Sequence, residues 1–126
     1  AEGEALERGD VEGAVASVLD AWTLPDAPEA LREYIGASQR RTLTRDETPE
    51  DWEDPIEGDP EILRTLQVPA LVTAGEREFP DFVEGARWYA EILPDARHTI
   101  IAGAGHLAPL ETPDAFRRLL LDFLRR

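Results

Sequence analysis

The chain has 126 residues, enough for one domain or part of one and too few for two. Hydrophobic residues make up 42%, including three Trp, which excludes a disordered polar tail; 27 acidic side chains against 13 basic ones, all Arg, leave a formal charge of -14 that argues against nucleic-acid and membrane partners. With no apolar run near the roughly 20 residues of a bilayer crossing, an acidic amino-terminal stretch where a signal peptide is basic, and no Cys for disulfides or thiolate sites, the sequence reads as a cytoplasmic protein with no metal or cofactor.

In chain order, Gly9-Asp10 reads as a turn and N-cap, followed by Val11, Val15, Val18 and Trp22 at helical spacing. Leu31, Tyr34, Ile35 and Ser38 predict a second amphipathic helix, so residues 1–45 are expected to be helical. Residues 46–61, DETPEDWEDPIEGDPE, carry acids, three prolines and no base, and predict a solvated loop or hinge.

Beyond it the pattern changes. Ala70–Ala74, between Pro69 and Gly75, and Thr99–Ala102, before Gly103, predict short strands apolar on both faces, as in parallel sheets. Between them, Asp81 and Glu84 have the spacing of a capping box, and Phe82, Ala86, Tyr89, Ala90 and Leu93 lie along one helical face. A last helix is expected with Thr112 as cap, Pro113 at its first position and a buried stripe of Phe116, Leu119, Leu120, Phe123 and Leu124. The β-α-β-α order implies a right-handed crossover and a parallel strand pair. Two such strands need hydrogen-bonded neighbours and covering layers, so association with another copy, or with a missing amino-terminal half, is expected.

Imidazole chemistry must pass through His98 or His106, the two His residues present. His106 closes Gly103-Ala104-Gly105-His106 at the carboxyl end of a predicted strand, where ligands bind in open α/β sheets; the alternative is a His on an ordinary loop. His98 precedes that strand at its opposite end and reads as a surface or structural residue.

Val68-Pro69-Ala70-Leu71-Val72-Thr73-Ala74-Gly75-Glu76, then Pro80-Asp81-Phe82, then Gly103-Ala104-Gly105-His106-Leu107-Ala108-Pro109-Leu110-Glu111 with Pro113 and Leu121-Asp122-Phe123-Leu124, resemble the carboxyl-terminal end of an α/β-hydrolase. The resemblance covers about residues 62–126, and the helical part before it resembles the lid inserted ahead of the last two strands. It implies a partial α/β-hydrolase fold of three parts: a lid-like segment over 1–45, the acidic loop over 46–61 and a βαβα part of the core over 62–126. It also implies that His106 is general base to a Ser, with Glu78 or Asp81 as the acid that orients the imidazole. Glu78 sits where the family's acid follows its strand, whereas Asp81 is shorter and has a second explanation as a cap.

The nucleophile elbow G-x-S-x-G is absent: the sequence has only Ser17 and Ser38, and Gly36-Ala37-Ser38 lies in a helical pattern without a preceding strand. The resemblance therefore implies hydrolysis of a small ester, amide or lactone by acyl transfer to water, once a nucleophile from outside these residues completes the site. The alternative is a catalytically inactive scaffold or protein-binding module that keeps the family's last βαβα unit.

Overall fold

The chain divides into two compact units, Ala1–Pro49 and Glu50–Arg126, and the computed structural model describes residues 2–45 and 59–125. The first unit is helical, as the apolar spacing predicts: α1 (Glu2–Glu7), α2 (Val11–Trp22) and α3 (Glu29–Leu43). Asp10 caps α2 by accepting a hydrogen bond from the Gly13 amide at 2.8 Å, so the expected cap is present. Ala14, Val15 and Val18 turn inward from α2 and Ile35 from α3, while Tyr34 of the expected α3 stripe faces water at 62% exposure.

The two helices approach closely at Gly36, where an added Cβ would lie 3.4 Å from the Leu19 side chain. Arg40 of α3 donates to both carboxylate oxygens of Glu12 on α2, at 2.5 and 2.6 Å. Those hydrogen bonds hold the Glu12 carboxyl below the usual carboxylate range and the Arg40 guanidinium above its own. An open groove of about 460 Å³ runs between α2 and α3, floored by Val15, Leu19 and Gly36 and rimmed by Glu12 and Arg40.

The expected acidic loop lies mostly outside the described residues, and its last part differs from expectation. Asp59 accepts from the Glu61 amide and starts a 3-10 turn over Pro60–Thr65, with Leu63 buried. From there the second unit runs β1 (Ala70–Gly75), α4 (Pro80–Ile92), β2 (Ala96–Ile101), α5 (Ala108–Glu111) and α6 (Pro113–Leu124). The two strands pair in parallel, Ala70 opposite Ala96 through Gly75 opposite Ile101, as the β-α-β-α order implies.

Four local expectations are corrected. β2 begins at Ala96, so His98 lies inside the strand opposite Val72, and Ala102 lies beyond its end; the polar Ala96-Arg97-His98 stretch is extended by pairing with β1, which periodicity cannot register. The helix expected at Asp81 begins at Pro80, whose fixed φ suits a first helical position, so Phe79 occupies the cap position without a side-chain bond. Asp81 and Glu84 form no capping box; Asp81 sits in the first turn, where the helix dipole favours a carboxylate. Thr112 precedes α6, but its hydroxyl donates back to the Ala108 carbonyl at 3.1 Å instead of capping.

The apolar stripes are only partly covered. Ile101, Ala104 and Ala108 form the buried centre of the second unit, with Ala115, Phe116 and Leu119 half-buried against it. Leu120 and Leu124 of the expected α6 stripe stay exposed, as do Phe82 and Tyr89 of α4, while Ala86 and Ile92 are buried. The reason is the sheet: the two strands among the described residues offer too little surface to cover the apolar stripes of α4 and α6. Among the described residues no helix is long and apolar enough to cross a membrane.

Candidate active site

β1 ends on glycine because the loop after β2 leans directly on it. A Cβ at Gly75 would lie 2.3 Å from the Ala104 carbonyl oxygen and 2.4 Å from that of Gly105, both backbone atoms that cannot swing away. Gly75→Ala should therefore destabilise the chain by roughly 1 to 3 kcal/mol or more, the cost of forcing atoms into a filled space; urea unfolding checks it, and an unchanged midpoint would show that the loop yields freely.

The contact brings two loops together at the carboxyl ends of the strands. Beyond β1, the Glu76 amide donates to the Ile101 carbonyl at 3.0 Å and the Arg77 amide to the Ala104 carbonyl at 2.8 Å. Beyond β2, Gly103 takes a φ of 73°, a left-handed conformation that suits glycine, and turns the chain toward His106. The Glu76 carboxylate accepts from the Gly103 amide at 2.9 Å, and the Glu111 carboxylate accepts from the Gly105 amide at 2.7 Å.

Held this way, His106 places its Nδ1 2.8 Å from Oε2 of Glu78. The Glu78 side chain is only 7% exposed and that of His106 34%. The other Glu78 oxygen, Oε1, accepts from the Phe79 amide at 2.9 Å, so both oxygens of the carboxylate are engaged. As a carboxylate Glu78 has only acceptors, and Nδ1 therefore carries the proton and donates. Phe82, from the first turns of α4, sets its ring edge-on to the imidazole with centroids 5.2 Å apart.

Among the residues expected at the site, the structure thus brings His106 and Glu78 together. Asp81 stands three residues further on, exposed in the first turn of α4, and its side chain makes no hydrogen bond or ion pair among the described residues. His98 belongs to the strand: its Nε2 is buried and without a hydrogen-bond partner. Ser38 lies within α3, and the hydroxyl of Ser17 donates to the Gly13 carbonyl of its own helix at 3.0 Å. Sequence reasoning missed Glu76 and Glu111, whose carboxylates bind loop amides. The one available signal was Glu111 at the close of the Gly105-to-Glu111 motif. Among the described residues no three His, Asp or Glu side chains gather as a metal-ligand set.

The chain as a whole has counterparts among known proteins. The 2-hydroxy-6-oxo-6-(2'-aminophenyl)hexa-2,4-dienoic acid hydrolase of Metapseudomonas resinovorans is 37% identical over 68 residues, which are 54% of this chain and 23% of that protein. MenH from S. aureus superposes with a TM-score of 0.61 at 25% identity, over 99% of this chain and 54% of its own. The chain resembles part of an α/β-hydrolase. A thermophilic esterase from Thermogutta terrifontis shares the fold with a TM-score of 0.71 at 19% identity, over 98% of this chain and 47% of the esterase. No protein-family model matches. The chain spans about half the length of these solved α/β-hydrolases, and what it shows is a partial form of their fold.

Proposed function

We propose that this chain supplies the general base and its orienting acid to a serine-type α/β-hydrolase that cleaves a small ester, amide or lactone by acyl transfer to water. One observation carries the reading: the 2.8 Å contact between His106 Nδ1 and the nearly buried Glu78 carboxylate. A scaffold or binding module does not require it, and placing a carboxylate with a side chain only 7% exposed beside an imidazole carries a desolvation cost.

In this reading Glu78 fixes the tautomer in which Nδ1 holds the proton, so the basic lone pair lies on Nε2. Nε2 takes the proton of a serine hydroxyl as it attacks the substrate carbonyl, and Glu78 stabilises the imidazolium that forms. Nε2 then returns the proton to the leaving group, and in the second half of the cycle does the same for water. The serine and the oxyanion donors come from outside these 126 residues, since the sequence holds no G-x-S-x-G. The α-helical first unit is the lid-like segment of this reading by its order in the chain, and the acidic chain acts in the cytoplasm, without cofactor.

The partner follows from the uncovered surfaces. Phe82, Ile100, Leu110 and Leu124 are each at least 40% exposed, and each large apolar side chain left in water forgoes roughly 1.5 to 3 kcal/mol. The outer edges of a two-stranded parallel sheet also leave backbone groups unpaired. A serine-bearing half with further parallel strands would extend the sheet and cover these side chains. The expected result is that the 126-residue chain alone does not turn over p-nitrophenyl esters and sediments as associated species at micromolar concentration. Joined to a serine-bearing amino-terminal α/β half, it should become a monomer that turns them over. A well-formed two-fold dimer of the chain alone would instead make a second copy the occupant, and a monomer melting cooperatively at a concentration-independent temperature would favour the non-catalytic module.

A further inference from the structure

We infer that Glu111 is a positioning residue for His106: its carboxylate, by binding the Gly105 amide, holds the loop in the one shape that lets the imidazole reach Glu78. The inference rests on the reading of His106 as the base and adds to it a residue that touches neither substrate nor nucleophile.

Glu111 closes the short helix α5 and folds its side chain back over six residues to accept from Gly105 at 2.7 Å. On the other flank of His106, the Leu107 carbonyl accepts from the amides of Leu110 and Glu111 at 2.8 and 2.9 Å. The backbone on both sides of the imidazole is thus tied to Glu111, through its carboxylate at Gly105 and through its amide at Leu107. Upstream, Gly103 is tied to Glu76 and the Ala104 carbonyl to the Arg77 amide. His106 itself sits between these ties, between a glycine and the first residue ahead of a helix, where an untied chain would sample many conformations.

The second oxygen of Glu111 gives the observation that separates positioning from ordinary packing. Oε1 is buried and has no hydrogen-bond partner. A half-satisfied buried carboxylate is an unfavourable choice for stability, because the unpaired oxygen has lost its water. The fold carries it next to the base, where what it secures is the geometry of the Gly105–His106 backbone and not a favourable burial.

The test is a nitrogen-15 spectrum of the imidazoles in the full 126-residue chain, with His106 assigned against His98 by His106→Ala. In the unsubstituted chain His106 should show the single Nδ1-protonated tautomer; a mixed tautomer there would sink the pairing with Glu78 itself, whatever Glu111 does. Given that tautomer, Glu111→Ala should move the His106 nitrogen shifts toward the averaged values of an untied imidazole and leave those of His98 in place. Glu111→Gln, which keeps an acceptor for the Gly105 amide, should restore the original shifts. An unchanged His106 spectrum in a folded Glu111→Ala chain would overturn the inference. If that variant does not fold, Glu111→Asp and Glu111→Gln decide: the shorter Asp should release His106 and Gln hold it, and identical His106 spectra in the two would overturn it equally.

Discussion

Replacing His106 by Ala, in a protein where this chain is joined to a serine-bearing α/β half, should lower kcat by roughly four to six orders of magnitude, the range that loss of the base costs a serine triad. The size follows from the role. Without an acceptor for its proton the serine hydroxyl is a poor nucleophile, and the leaving group departs without a proton donor, so both halves of the cycle slow together. What remains is catalysis by the oxyanion donors and by substrate binding. KM should change little, because the imidazole acts on bonds that are made and broken and not on the bound ground state.

The fold should survive the change. The loop around His106 is tied by backbone and carboxylate bonds at Gly103, Ala104, Gly105 and Leu107, none of which involves the imidazole. The expected stability loss is about 1 to 3 kcal/mol, since Oε2 of the nearly buried Glu78 is left without its partner. Circular dichroism and urea unfolding would separate that modest loss from the collapse in turnover. Activity that survived the substitution would make His106 a loop residue and remove the base from the reading.

How much of this was legible in the sequence depends on the reach of each interaction. Ala70–Gly75 and the following Gly103-Ala104-Gly105-His106 announce a parallel pair with a His at its carboxyl end, because apolar runs closed by glycines are local signals. The polar start of β2 at Ala96-Arg97-His98 was not legible, since its extended shape comes from pairing with Ala70-Leu71-Val72 on another strand. At α4 two local rules competed, and the proline at Pro80 started the helix one residue before the Asp81 cap expected from the Asp81–Glu84 spacing. The stripe of α6 was read correctly as apolar and wrongly as buried, because periodicity records what a side chain prefers and not how many strands are there to receive it. In the site, the Glu76 bond to Gly103 spans 27 residues and joins two loops, a distance over which no spacing rule speaks.

The assignment of the acid can be tested by one pair of substitutions. Oε1 of Glu78 accepts from the Phe79 amide and Oε2 from His106 Nδ1, so a glutamine at this position has one arrangement that keeps the first bond: its carbonyl oxygen toward Phe79 and its NH2 toward the imidazole. An NH2 group donates only, which obliges Nδ1 to accept and moves the ring proton to Nε2. That is the wrong tautomer for a base facing a serine. Glu78→Gln should therefore lower kcat of the joined enzyme by about 10⁴, the loss that follows when an orienting acid is replaced by its amide with the geometry kept. The same variant of the 126-residue chain should show the Nε2-protonated form of His106 in its nitrogen-15 spectrum. Asp81→Asn, at an exposed side chain with no bond to the site, should leave kcat and the tautomer as they are. A large loss in Asp81→Asn with Glu78→Gln nearly unaffected would transfer the acid to Asp81. It would also mean that α4 moves its first turn against His106 when the sheet is completed, since Asp81 makes no bond to the imidazole as the chain stands.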